Sequence, residues 1–138
     1  MKFKFLEKIA TADIAFESYG KTLRELFENT ALAFADVTAD LKSVKAKTKK
    51  IIRLENEDSE QLLFDFIGEL IYIKDADYFI FKEFYIKLKE GKLIAECYGE
   101  KINSKKHNLR NDVKAITYHM YKISKTKSGY KAMIVLDV

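Results

Sequence analysis

In this 138-residue chain, three charged residues interrupt runs of small or apolar neighbours, and each interruption could carry chemistry. Asp137 lies in Met133-Ile134-Val135-Leu136-Asp137-Val138, Asp13 in Thr11-Ala12-Asp13-Ile14-Ala15-Phe16, and Lys114 in Val113-Lys114-Ala115-Ile116-Thr117. A carboxylate among apolar groups is costly unless something neutralises it, and the terminal group of Val138 adds a second negative charge beside Asp137. Each residue alone reads as an outward-facing strand position. Strand pairing, however, brings together residues far apart in sequence. If Asp13, Asp137 and Val138 converge, they form an all-oxygen anionic pocket, which suits calcium, magnesium or manganese and disfavours zinc or copper. The alternative makes Lys114 the counter-ion, and spacing alone favours that salt bridge.

Other chemistry is poorly served. Gly20, Gly68, Gly91, Gly99 and Gly129 are too scattered for a phosphate loop or a dinucleotide fingerprint. No serine has the flanks of a nucleophile elbow. His107 and His119 are too far apart for a helical ligand pair, and His119 reads as a structural histidine on a strand. Cys97, the single cysteine, reads as an inert core residue. One cysteine allows no internal disulfide and fits a reducing, cytoplasmic setting. Apolar runs fall short of a membrane helix, and the alternating Met1-Lys2-Phe3-Lys4-Phe5 does not read as a signal peptide. The net charge of +4 is carried mostly by lysine, with Arg24, Arg53 and Arg110 the only guanidinium groups. Lysine is a hydrated point charge, so the stretch from Lys42 to Arg53 reads first as a solvated face and only second as an RNA contact.

These residues must be positioned by a fold, and its elements can be read from periodicity. The length implies one domain, residues 1–138. Phe3 and Phe5 mark a strand, and a second runs from Asp13 or Ile14 to Tyr19, stopping at Gly20. Thr22 opens a helix with Glu25 completing a capping box, and Leu23, Leu26, Phe27, Ala31 and Phe34 form its apolar stripe. A strand is expected around Ile52 and Leu54. Asp58 then caps a helix carrying Leu62, Leu63, Phe66, Ile67, Leu70 and Ile71 and ending near Lys74, with Gln61 reaching back to the cap. Strands follow: Phe84 to Leu88, a Glu90-Gly91 turn, Leu93 to Cys97, a polar loop over 102–112, Val113 to Ser124, a turn at Ser128-Gly129, and Tyr130 to Val138. Early helices and late strands predict an α+β fold, a mostly antiparallel sheet packed with two main helices.

The segments Thr11–Phe16, Thr22-Leu23-Arg24-Glu25-Leu26-Phe27-Glu28-Asn29, Val113–His119 and Val135–Val138, in that order, resemble the archease family over nearly the whole chain. Gly99-Glu100-Lys101 with the loop to His107, and Asp58 opening a leucine-rich helix, also fit. The resemblance implies a small α+β accessory protein without turnover of its own. Its expected partner is the tRNA-splicing RNA ligase that joins 2′,3′-cyclic or 3′-phosphate ends to 5′-hydroxyls. It would promote guanylylation of a ligase histidine, restore multiple turnover and broaden nucleotide use, meeting tRNA only indirectly. A divalent metal, typically calcium, is expected on Asp13, Asp137 and Val138, with Lys114 and Asp58 matching further positions needed for activation. The alternative role within the family is a chaperone or modulator of tRNA-modifying enzymes, such as a tRNA methyltransferase. Two departures stand out. Ala10 replaces the family's histidine before Thr-Ala-Asp, leaving His119 as a candidate substitute, and Phe66 replaces a tryptophan in the second helix.

Overall fold

The computed structural model describes residues 1–6 and 13–138, so Ala10 and the first two residues of the Thr-Ala-Asp motif lie outside the described residues. Among the described residues, seven strands and two α-helices follow in the order β1 (Phe3–Phe5), β2 (Asp13–Gly20), α1 (Leu23–Thr38), β3 (Thr48–Glu55), α2 (Ser59–Asp77), β4 (Phe79–Lys89), β5 (Lys92–Lys101), β6 (Ala115–Thr126) and β7 (Gly129–Asp137), with a short 3₁₀ turn at Leu41–Ser43. The fold is α+β, as the alternation implied, but its strands divide into two antiparallel sheets. One has the order β1-β2-β7-β6 and the other β3-β5-β4. α1 packs on β2 and β4, and α2 on β6, β3 and β4, so both helices bridge the sheets. A main hydrophobic cluster results, in which Phe16, Ile134 and Leu136 of one sheet meet Phe81, Ala95 and Cys97 of the other around Phe27, Phe34 and Phe66, with a small satellite of Ala39, Val44 and Ile80 beside it.

The helices form where the caps and stripes predict, with local differences. The Thr22 hydroxyl accepts from Glu25 N–H, but the Glu25 carboxylate closes the box on Lys21 N–H, one residue before the cap. Asp58 accepts from Glu60 and Gln61 N–H, while the Gln61 amide turns outward to Asp65 and Tyr118. α2 runs past Lys74 to Asp77 and stops at Tyr78, whose φ of 49° is left-handed. Phe66 is fully buried and stacks on Phe27 at 6.5 Å, which makes it a core residue.

The edges are closed by the same helices. Glu28 of α1 accepts the N–H of Ile86 on edge strand β4, and Glu60 of α2 accepts that of Ile123 on edge strand β6. These carboxylates satisfy donors that would otherwise invite pairing with another chain. Glu90 (φ 51°) and Gly91 (φ 75°) form the expected hairpin turn, both in the left-handed region a type I′ turn requires. β6 departs from simple alternation. Thr117 pairs with Val135 and Lys122 with Met133, so the intervening residues bulge, with Met120 at φ 57°. The bulge turns His119 into solvent. The buried histidine is His107, in the loop expected to be polar.

Candidate functional site

Strand pairing supplies the convergence that the sequence left open. β2 and β7 run antiparallel with Asp13 directly opposite Asp137, and Ala115 of β6 lies on the other side of Asp137. Directly opposed residues project to one face, with Cβ atoms about 5 Å apart. Lys114 enters the same corner through its backbone, its N–H donating to the Asp137 carbonyl at 2.8 Å. The apolar residues Ile14, Phe16, Ile134 and Leu136 face the helices. Asp13 and Asp137 therefore occupy the opposite face, shared with Ala15, Val135 and Thr117 by alternation. That face is not simply wet: Ala15 and Val135 are 1% and 0% exposed, and the two aspartates and Val138 are half-buried. Thr117 Oγ1 is buried there without a hydrogen-bond partner among the described residues.

The carboxylate pair has no cationic partner among the described residues. The Lys114 side chain is exposed and forms no ion pair with either aspartate, so the salt bridge favoured by spacing does not form. Arg110 borders an adjoining pocket of about 300 Å³ with Asp13, Phe5 and Val37, but its guanidinium is committed to Asp36 Oδ1 at 2.9 Å and to the Asp36 carbonyl. Two carboxylates held opposite each other without a counter-charge repel. Their hard oxygens, with an oxygen of Val138 beside them, fit a calcium- or magnesium-type ion. Among the described residues no three His, Cys, Asp or Glu side chains gather, so such a site rests on two carboxylates, an oxygen of Val138, and oxygens from water or a partner.

Asp58 is placed elsewhere. Ser59, next to it, lines a pocket with Thr22, Leu23 and Arg24 at the start of α1, whereas Asp13 lines one with Asp36 and Val37 at its end. At 1.5 Å per residue, α1 separates them by about 20 Å. His119 stands on the β6 bulge beyond Thr117.

Sequence reasoning missed the buried ions that fix the loop over 102–114. The Lys74 ammonium, 5% exposed, bonds Asp75 at 2.5 Å and Asp112 at 2.7 Å. Burial alone would lower its pKa, but the two carboxylates override that and raise it. Glu100 takes both hydrogen bonds of Lys106, the Lys45 N–H and His107 Nε2. His107 Nδ1 accepts from Asn103 N–H, so the ring proton sits on Nε2 and is donated to Glu100. Further on, Arg110 and Asn111 donate their N–H groups to Thr38 and Val37 carbonyls at the end of α1, and Lys114 follows at Asp137. The only sequence signal for these contacts was the cluster of ionisable residues in a loop. Cys97 is inert as expected, its thiol pushed up to about 12 by burial.

Fold and site together define a class, a small two-sheet α+β domain with a paired carboxylate corner where β2, β6 and β7 meet. Residues 3–138 match the Archease protein family (MTH1598/TM1083). The archease of Pyrococcus furiosus is 41% identical over 133 residues, covering 93% of this chain and 94% of its own, and that of Methanosarcina barkeri is 39% identical over 133 residues, covering 93% and 91%. The solution structure of Methanobacterium thermoautotrophicum protein 1598 superposes with a TM-score of 0.86 at 36% identity, covering 99% of this chain and 98% of that one. The crystal structure of a Thermotoga maritima archease, described as a "possible chaperone", shares the fold at a TM-score of 0.69 and 23% identity over 94% and 93% of the two chains. The chain belongs to the archease family.

Proposed function

We propose that this chain is a cytoplasmic, non-catalytic activator of the tRNA-splicing RNA ligase that joins 3′-phosphate and 5′-hydroxyl ends. In this reading it promotes guanylylation of the ligase and multiple turnover, and broadens nucleotide use. The observation that carries it is the direct opposition of Asp13 and Asp137, with Lys114 anchored by its N–H on the Asp137 carbonyl and its side chain exposed and without an ion pair among the described residues. Asp13, Asp137 and a Val138 oxygen hold a divalent ion, calcium by donor type, with magnesium or manganese as competitors. When bound, that ion supplies positive charge against which phosphate oxygens or a ligase carboxylate can be placed. Lys114 adds a second, mobile cation for the negative charge that develops during guanylylation. Its anchored backbone confines that ammonium to the rim of the carboxylate corner.

The test is single-turnover guanylylation of the ligase with and without this protein. Asp13→Asn and Lys114→Ala are expected to lose stimulation by tenfold or more while keeping the wild-type circular dichroism spectrum; stimulation surviving in both variants overturns the reading. Asp58→Asn belongs in the same assay. Asparagine caps a helix as well as aspartate, so any loss in that variant assigns the Asp58 charge, and not the cap, to activation. The competing reading, a chaperone or modulator of a tRNA methyltransferase, draws on exposed Tyr118 and Met120 on the β6 bulge. It requires suppression of client aggregation that survives Asp13→Asn.

A further inference from the structure

A second charged feature lies apart from the aspartates. The segment entering β3 and the loop leaving β5 close on one another, with Lys47 N–H donating to the Gly99 carbonyl at 3.1 Å and Lys45 N–H to Glu100 at 2.7 Å. Between them opens a concavity of about 670 Å³, lined by Lys47, Lys101 and Lys106 with Thr48, Asn103 and Ser104. Lys45 and Lys105 flank it. The acid of this corner, Glu100, is already spent on Lys106, His107 and the Lys45 backbone. Lys45, Lys47, Lys101 and Lys105 are exposed and have no acidic partner among the described residues. Five lysines against one carboxylate leave a local excess of four, equal to the +4 of the whole chain, so the remaining charged side chains balance.

We propose that this corner binds the phosphodiester backbone of an RNA without reading its sequence. The concavity has no aromatic or arginine in its wall. Protein interfaces draw their energy from such residues in an apolar centre, whereas phosphate binding by counterion release requires only the ammonium groups. Lysine ammoniums are point charges without the forked geometry of arginine, and contacts they make to phosphates carry no sequence information. The corner lies at the Asp13 end of the molecule. Ile102 is shared with a neighbouring groove whose Arg110 and Asn111 also border the Asp13 pocket. The choice of RNA over DNA rests on the ligase reading above.

The experiment measures fluorescence anisotropy of a short labelled single-stranded RNA with this protein alone, no ligase present, from about 50 to 200 mM salt. Lys45, Lys47 and Lys105 changed together to Gln are expected to weaken binding at least tenfold at the lowest salt. The slope of log affinity against log salt should flatten by about 2, roughly 0.7 per lysine. A charge-matched control changes Lys87, Lys89 and Lys92, exposed around the β4–β5 hairpin turn, to Gln and should keep the wild-type slope. Four results overturn the proposal: no binding by wild type at low salt, equal flattening in both variants, an unchanged slope in the corner variant, or tighter binding of polyglutamate or of DNA of the same sequence. Failure of the ligase reading is separately visible, as stimulation that survives in both Asp13→Asn and Lys114→Ala.

Discussion

Glu100 turns a polar loop into a fixed one. Its carboxyl is held down at about 2, from an ordinary 4.5, chiefly by Lys106, then by His107 and the Lys45 N–H, with burial opposing them. A carboxyl depressed by folding stabilises the fold fully above its ordinary value. That contribution is lost as pH falls from about 4.5 towards about 2. Glu100→Gln is therefore expected to cost roughly 2 kcal/mol near neutral pH, the worth of charge-assisted bonds on a buried group, and progressively less in acid. Urea midpoints of wild type and variant near pH 7 and near pH 3 decide it; a gap that stays constant in acid would assign the loss to packing. The consequence reaches beyond the residue, because the same loop continues to Arg110, Asp112 and finally Lys114.

At the scale of the elements, β5 is the central strand of its sheet and Gly99 is its close-approach point. A Cβ there would overlap the Ile80 carbonyl and crowd Phe81, next to the irregularity between Phe81 and Glu83. Gly99→Ala is expected to destabilise by about 3 kcal/mol, since backbone on a paired strand gives way less than a side chain; a denaturation midpoint within experimental error of wild type would show that β4 can shift. Much of this architecture was legible. Alternation located Phe84–Leu88 and Leu93–Cys97, and the caps at Thr22 and Asp58 placed both helices, because these signals are local. The split into two sheets was not legible, since it depends on which strands each helix bridges. Nor was the β6 bulge, which turns His119 outward where alternation made it structural, or the burial of His107 and Lys74, whose partners lie in other elements. Asp13, Lys114 and Asp137 stood out as charges in apolar strands. Spacing alone favoured a salt bridge, and the pairing register instead leaves the aspartates facing each other without it.

On the scale of the whole molecule, that opposition is a conflict the rest of the fold must outweigh. The core of both sheets and both helices holds β2 against β7, and the register that buries Phe16, Ile134 and Leu136 obliges Asp13 and Asp137 to meet. A one-residue slip would exchange every core residue for an outer one, so repulsion worth well under 1 to about 1 kcal/mol has no means of moving the strands. Two opposite consequences follow for one substitution. With divalent ions chelated, Asp137→Asn removes the repulsion and is expected to melt at or slightly above wild type, by about 0.5 kcal/mol. With calcium at a hundredfold excess over its dissociation constant, wild type should gain about 2.7 kcal/mol, roughly 10 °C in melting temperature for a chain of this size, and the variant little or nothing. Thermal melts of both proteins in chelator and in calcium give the four values required. A wild type indifferent to calcium, paired with a variant that melts lower in chelator, would mean that the aspartates are neutralised by something other than a bound cation and that the corner is structural; the crossed pattern would mean that the chain gives up stability at this corner in order to hold an ion there.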